Sequence, residues 1–385
     1  MFVASSLFAI LAAYIVYKWA TRCLPWLAAR RRALAAVLVA CCVAPIPLGW
    51  LIIHHHSRWA GGAQGVLAAV VVTVMLVSIP LGLYRLGAWA YSRARPREST
   101  PAAIGTISRR HLVEAAAGGA LFASTGSMIG WGIVRGRHAF ELSEIAARIP
   151  GLPRVLDGYT IVQVSDIHAG FYVGERELDE GLELVRRARP DLLAVTGDMV
   201  DFEPELAGLV GRRLLQVAGR DGVVAVLGNH DHYADGPRVA RALQAIGVDT
   251  LVNRGRVIRP DDGGGFALLG VDDIGTHRQA AAGPGARLDL ALAMVPADRP
   301  RVLLSHQPPS VDRWAGQVAL QLSGHTHGGQ INPGARLINP FFEYLAGAYF
   351  VRGTMLYVNR GFGTVGPPAR IGAPPEVTRI VLVAA

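Results

Sequence analysis

Apolar positions run unbroken over helical lengths in the first part of the chain and come in short alternating bursts afterwards. Before residue 135, the stretches 2–17, 33–53, 66–84 and 115–134 are rich in Ala, Val, Leu and Ile. Each approaches the roughly 20 residues a helix needs to cross a bilayer. The first is short, and the fourth is diluted by Gly and Ser. Pro45, Pro47 and Pro80 lie inside the second and third, which a membrane helix tolerates better than an isolated helix in water. From residue 159 the period changes. Segments 159–164, 192–196, 223–227, 266–271, 302–304, 319–322, 355–358 and 377–383 read as strands, and 175–188, 205–217 and 237–246 as helices. Such alternation predicts an α/β domain with a largely parallel sheet covered by helices. The expected division is a transmembrane helical region over 1–134, a linker over 135–157 and a globular domain over 158–385, with a second charged linker at 96–106 and no internal repeat.

The net charge of +9 suggests a nucleic-acid binder if taken whole. Residues 1–150 carry 15 basic and 4 acidic side chains, however, and residues 151–385 carry 23 and 25. The excess therefore belongs to the apolar part, where it sets membrane orientation, and no nucleic-acid partner is expected. Cys23, Cys41 and Cys42 all lie in or beside apolar runs, so the globular part uses no disulfide and no thiolate ligand.

Charges between the apolar stretches give an orientation. The first connection holds Lys18, Arg22, Arg30, Arg31 and Arg32, and the third holds Arg85, Arg93, Arg95, Arg97, Arg109 and Arg110; the second holds only Arg58 beside His54, His55 and His56. The first and third are expected in the cytoplasm and the second outside. The histidine triplet reads as a solvated loop. A fourth span then delivers the globular domain to the outer, periplasmic side of a multi-pass inner membrane protein; without it the domain stays inside. Ser108-Arg109-Arg110-His111-Leu112 resembles a twin-arginine export signal without its usual Phe, and equally a pair of arginines flanking a helix. Both readings keep the arginine pair inside.

Five motifs stand in order along the globular part: Asp166-Ile167-His168, Gly197-Asp198, Gly228-Asn229-His230-Asp231, Ser305-His306 and Gly324-His325-Thr326-His327. Each follows a predicted strand, and ligands in open α/β sheets bind at the carboxyl ends of strands. Singly, each has an ordinary explanation: a surface pair, a turn, a helix-capping Asn, a satisfied buried histidine. Together they offer carboxylates, an amide and imidazoles enough for two cations. Mixed N and O donors suit Mn, Fe, Zn or Co, and the absence of thiolate argues against a closed structural zinc site. Asp201 reads as a loop or supporting group, and His232 and His277 as solvated loop residues. Asp272 and Asp273 have no secure role. Arg360 reads as a phosphate contact or as a surface ion pair.

Over 159–383 these residues resemble the calcineurin-like metallophosphoesterases, with every element of that family's pattern present in order. The membrane-anchored bacterial branch is the nearest likeness, through Gly324-His325-Thr326-His327-Gly328-Gly329-Gln330 and Arg370-Ile371-Gly372-Ala373-Pro374-Pro375-Glu376. The resemblance implies a sandwich of two central β-sheets flanked by helices and a phosphoester hydrolase with two divalent metals. Asp166, His168 and His327 would bind one metal and Asn229, His306 and His325 the other, with Asp198 shared. A metal-activated hydroxide would attack phosphorus. His230 would stabilise the transition state or protonate the leaving oxygen, with Asp231 orienting its ring. Phosphodiesters, monoesters and lipid-linked pyrophosphates stay open as substrates. The competing readings are a catalytically silent metal-binding scaffold or sensor at the membrane and, behind it, a transporter with an accessory domain.

Overall fold

A computed structural model describes residues 2–55, 58–94, 109–259, 261, 265–275, 285–333 and 342–385. His56, His277 and the stretch 96–106 lie outside them. The chain divides into two units, Met1–Trp131 and Gly132–Ala385.

The first unit is helical: α1 (Phe2–Cys23), α2 (Pro25–Ala29), α3 (Arg31–Val43), α4 (Pro45–His55), α5 (Arg58–Ala94) and α6 (Arg109–Val134), the last running past the division. Among the described residues, Arg31–Ile52, Trp59–Ala94 and His111–His138 are long and apolar enough to cross a membrane, by length and composition. They coincide with the second, third and fourth expected spans; the first lies in α1. Ile10, Val37, Trp50, Val66 and Leu83 are exposed on these helices, a surface that suits lipid better than water. His54 and His55 finish α4 rather than forming a loop, because the apolar run preceding them carries the helix on.

In the second unit, β1 (Glu141–Ile149), β2 (Thr160–Val164), α7 (Glu175–Ala188), β3 (Leu192–Thr196), α8 (Leu206–Leu215), β4 (Val223–Val226), α9 (Asn229–Tyr233), α10 (Gly236–Gln244), β5 (Asp249–Thr250), β6 (Arg254–Ile258) and β7 (Phe266–Gly270) come first. They are followed by α11 (Leu288–Leu292), β8 (Arg301–Leu304), α12 (Val311–Trp314), β9 (Leu320–Ser323), β10 (Gly347–Val351), β11 (Thr354–Val358) and β12 (Glu376–Ala384). Two six-stranded sheets result, ordered β1-β12-β2-β3-β4-β5 and β10-β11-β9-β8-β7-β6. The strands that carry the motifs run parallel to one another, β2 with β3 and β3 with β4 in one sheet and β8 with β9 in the other, while β12 pairs with β2 antiparallel.

Side-chain alternation along the strands builds the layers. Ile161, Leu192, Ala194, Val224 and Val226 of one sheet face Leu268, Val302, Leu304, Leu320 and Leu322 of the other in a shared core. Their neighbours Val162, Val164, Leu193, Val195 and Ala225 turn the opposite way, onto Leu178 and Leu182 of α7, Val210 and Leu214 of α8 and Leu243 of α10. On the far side, Ala267, Leu269 and Leu303 receive Leu288 and Ala291 of α11. Gln163 is a polar exception in the shared core: its amide donates to Thr196 Oγ1 and to the Ser323 carbonyl, both at 2.9 Å, tying β2 to β3 and to β9 beside the motif-bearing loops.

The stretch 135–157, expected as a linker, contains β1, which pairs in parallel with β12 along its whole length. Its alternation of exposed Glu and Arg with buried Ala147 and Ile149 is that of an edge strand.

Candidate metal centre

The turns that leave the strands are unusual. Asp166, His168, Asp198, His325 and His327 all have positive φ, between 52° and 72°, a conformation that is costly for residues with a Cβ and persists where the surroundings enforce it. Backbone bonds from Asp166 N to Gly197 O and from His168 N to Asp198 O, both 3.0 Å, lock the first two loops together. Gly197 permits the turn itself, with φ 91°. Gly228 and Gly324 are required for clearance instead: a Cβ would lie 2.2 Å from Asp198 Oδ1 at the first and 2.2 Å from Asp166 Oδ2 at the second.

The structure brings all seven expected ligands together at the strand ends. His168 Nε2 lies 3.1 Å from His327 Nε2, 3.7 Å from Asp198 Oδ2 and 4.0 Å from Asp166 Oδ1. His327 Nε2 is 3.4 Å from Asp166 Oδ1. On the other side of Asp198, its Oδ2 is 3.1 Å from His306 Nε2, which is 3.2 Å from both Asn229 Oδ1 and His325 Nδ1. Two groups result, Asp166-His168-His327 and Asp198-His306-His325, and His168, Asp198 and His230 form a third.

Second partners aim the imidazoles. His306 Nδ1 lies 2.8 Å from the Thr196 carbonyl, which can only accept, so Nδ1 carries a proton and Nε2 faces the centre. His168 Nδ1 lies 2.6 Å from Asp201 Oδ1, with the same result. Donors presented in this way, held by a carboxylate or a carbonyl behind them, match the second layer of metal-binding histidines.

Electrostatics agree with a site built for positive charge. Burial pushes the Asp198 carboxyl up, but the imidazoles of His306 and His230 outweigh it and hold Asp198 well below the usual carboxylate range. Burial alone dominates at Asp166, whose carboxyl is raised. His168 is disfavoured as a cation by burial, yet Asp201 and Asp198 lift it to about 9, and Asp198 lifts His306 well above the ordinary histidine value against the same burial. Burial and the neighbouring His306 push His325 down to about 3, and burial with His168 and Arg370 keeps His327 neutral. Protons held at Nε2 of His168 and His306 must leave before those atoms can ligate a cation.

His230 sits beside this cluster, its ring 4.6 Å from that of His168 and its backbone N–H donating to Asp198 Oδ1 at 2.7 Å. The expected orienting contact from Asp231 is absent. The Asp231 carboxylate points back into the fold and accepts from the N–H groups of Met199, Val200 and Gly228 at 2.9, 3.2 and 2.9 Å. Asp201 faces the ring instead: its Oδ1 is 3.4 Å from His230 Nδ1, an ion-pair distance rather than a formed hydrogen bond.

His232 is not solvated. Its Nε2 lies 2.7 Å from Oδ1 of the fully buried Asp272. Asp273 accepts from the Gln307 amide at 2.9 Å, next to His306. Arg360 is an ion-pair residue, 2.9 Å from Glu141 and 3.2 Å from Glu376. Sequence reasoning gave Arg370 no role, yet it is one of the largest fully buried side chains. It donates to the carbonyls of His327 (3.2 Å), Arg360 (2.6 Å), Gly361 (3.0 Å) and Ala373 (3.1 Å), and its Nη2 lies 3.2 Å from His327 Nδ1. The signal available was the Arg370–Glu376 stretch itself, charged at both ends.

The two-sheet sandwich carries at its strand ends a cluster of carboxylate, amide and imidazole donors able to hold metal ions. The calcineurin-like phosphoesterase family profile matches residues 159–329. A transmembrane protein with metallophosphoesterase domain from Danio rerio is 34% identical over 262 residues, covering 66% of this chain and 59% of that protein. Its counterpart of the same name from Bos taurus is 32% identical, covering 78% and 68%. The uncharacterized metallophosphoesterase YkuE of Bacillus subtilis is 31% identical, covering 72% and 98%. The chain belongs to the calcineurin-like metallophosphoesterase family. These relatives come from animals as well as bacteria, and the chain spans less than two thirds of the Danio rerio protein's length.

Proposed function

We propose that this protein is a membrane-anchored phosphohydrolase in which Asp166, His168 and His327 hold one divalent cation, Asn229, His306 and His325 hold a second, and Asp198 serves both. The convergence of these seven side chains, five of them in strained turns, carries the reading. Mn, Fe, Zn and Co fit the donors. When bound, the cations would supply Lewis acidity toward a phosphoryl oxygen and toward attacking water. The chain's own part is positioning and proton handling. Asp201 fixes His168 and faces His230, and His230 hands a proton to the leaving oxygen or stabilises charge on phosphorus. Asp231 fixes the loop from which His230 projects.

The chain divides in this reading into a helical anchor over 1–134, a connecting stretch and a catalytic domain on the outer side of the inner membrane. Phosphodiesters, monoesters and lipid-linked pyrophosphates are the substrate classes to compare. The relatives named transmembrane proteins support the anchoring. Full-length protein in detergent tests the proposal by metal content and by rates on bis-aryl against mono-aryl phosphate, then on lipid-linked substrates. Asp198→Asn should abolish both metal retention and turnover. Wild-type protein that holds no metal after resupply and hydrolyses none of these esters would sink the reading.

A further inference from the structure

The helical unit contains a cavity of about 630 Å³ between α1, α5 and α6. Its lining has two characters. Pro80, Leu81, Val113 and Leu121 are apolar, while Arg22, Arg85 and Glu114 are charged and Trp19, Tyr84 and Trp89 are aromatic. Polar contacts organise the charged end. The Tyr84 hydroxyl donates to Glu114 Oε1 at 2.8 Å, Arg22 Nε lies 3.9 Å from Glu114 Oε2, and Trp19 Nε1 donates to the Glu114 carbonyl at 3.1 Å. Arg93 stacks on Trp89 with its guanidinium carbon 4.8 Å from the ring centroid.

We propose that this cavity binds one membrane phospholipid, its phosphate between Arg22 and Arg85 and an acyl chain along Leu81, Val113 and Leu121. Two of three observations favour a lipid over a soluble anion, the volume being compatible with either. The volume lies within the range of small-molecule sites. A basic end continuous with an apolar wall matches an amphiphile, and basic pockets between membrane helices take lipid head groups. Tyr and Trp at that level match the zone where head groups lie. Glu114 balances Arg22, so the pocket favours a zwitterionic head group that brings its own cation over a multiply charged anion.

The inference rests on the helices lying in a bilayer, not on the hydrolytic reading, so its test reads lipid and not turnover. Full-length protein is released from membranes in mild detergent and examined by native mass spectrometry with added phosphatidylethanolamine. Arg22→Ala/Arg85→Ala should bind the lipid about tenfold more weakly, the effect of losing charge-assisted contacts. Ala88→Trp, which fills the cavity without removing charge, should weaken binding comparably. Arg32→Ala, outside the lining, should not. Thermal melting and membrane extraction verify that each variant is folded and inserted, and Ala88→Trp keeps the test open if the double variant is not. Equal lipid binding by wild type and the folded variants would overturn the proposal. So would inorganic phosphate binding that matches the lipid's and ignores Ala88→Trp, because the site would then be a simple anion pocket.

Discussion

Two aspartates near the proposed metal ligands act on different targets, and substitution separates them. Asp201 reaches the centre only through His168 Nδ1 at 2.6 Å and the facing ring of His230. Asp201→Asn should therefore cost about 10–100-fold in kcat/KM, the usual effect of removing the partner behind a metal-binding histidine, while thermal unfolding stays close to wild type. Asp231 reverses the pattern. Asp231→Ala leaves three buried N–H groups without an acceptor and should destabilise the domain by about 3 kcal/mol or more in denaturant titration. A D231A protein as stable as wild type would show that those loops are held by something else. Glu376 supplies the pH-dependent case. Burial raises its carboxyl, but the Arg360 guanidinium, with further hydrogen-bond donors, brings it below the ordinary glutamate value. A carboxyl depressed in the folded state contributes stability that is present above its unfolded pKa of about 4.3 and is lost as pH falls through the lower folded value. Glu376→Gln should lower stability at neutral pH and flatten the fall of stability below about pH 4.3. A stability–pH curve parallel to wild type in that window would contradict the assignment.

At the scale of elements, β1 sets a limit on how the catalytic unit can be cut. A truncation at residue 151, inside the stretch 135–157 that the sequence reads as a linker, would remove Ala147 and Ile149 from the shared core and strip β12 of its parallel partner. A fragment beginning near residue 151 should be markedly less stable and more prone to aggregate than one beginning at residue 132, because β12 becomes an exposed edge; comparison of soluble yield and melting midpoint decides it. The same strand shows what could be read from the sequence. The eight strands expected all exist and all lie inside the sheets or next to an edge strand. Those missed are β1, β5, β6 and β10, the four edges. An interior strand is buried on both faces and reads as an apolar run, as in Leu192–Thr196. An edge strand such as Arg254–Ile258 mixes exposed arginine with buried residues, and β5 is only two residues long, so neither leaves a strong periodic signal. The same holds for the site. Ligand-type residues at strand ends were legible because motif and strand adjoin in sequence. The pairing of His168 with Asp201, of His232 with Asp272 and of Arg370 with His327 spans 33, 40 and 43 positions and depends on how loops from different strands meet.

For the whole molecule, the proposed placement of the second unit outside the cytoplasm rests on charge and on one helix. Arg22, Arg30, Arg31 and Arg32 lie at and before the start of α3, and Arg93, Arg95, Arg97, Arg109 and Arg110 lie around the passage from α5 to α6, whereas the passage from α4 to α5 has only Arg58, the first residue of α5. With the two basic connections inside, the placement of the catalytic domain depends on α6 and is the same whether or not α1 crosses. A C-terminal reporter that is active only outside the cytoplasm should therefore be active, and should lose activity when residues 115–130 are deleted. The arginine pair Arg109-Arg110 at the start of α6 allows a sharper distinction. Orientation by charge needs only positive side chains, whereas a twin-arginine signal needs arginine itself. The pair follows apolar stretches that would already be inserted, so charge is the expected determinant. R109K/R110K should keep the reporter active, while R109Q/R110Q should reduce it. Loss of activity in the lysine variant, with the protein still present in membranes, would instead make the dipeptide an export signal and place α6 on a different route from α3 to α5.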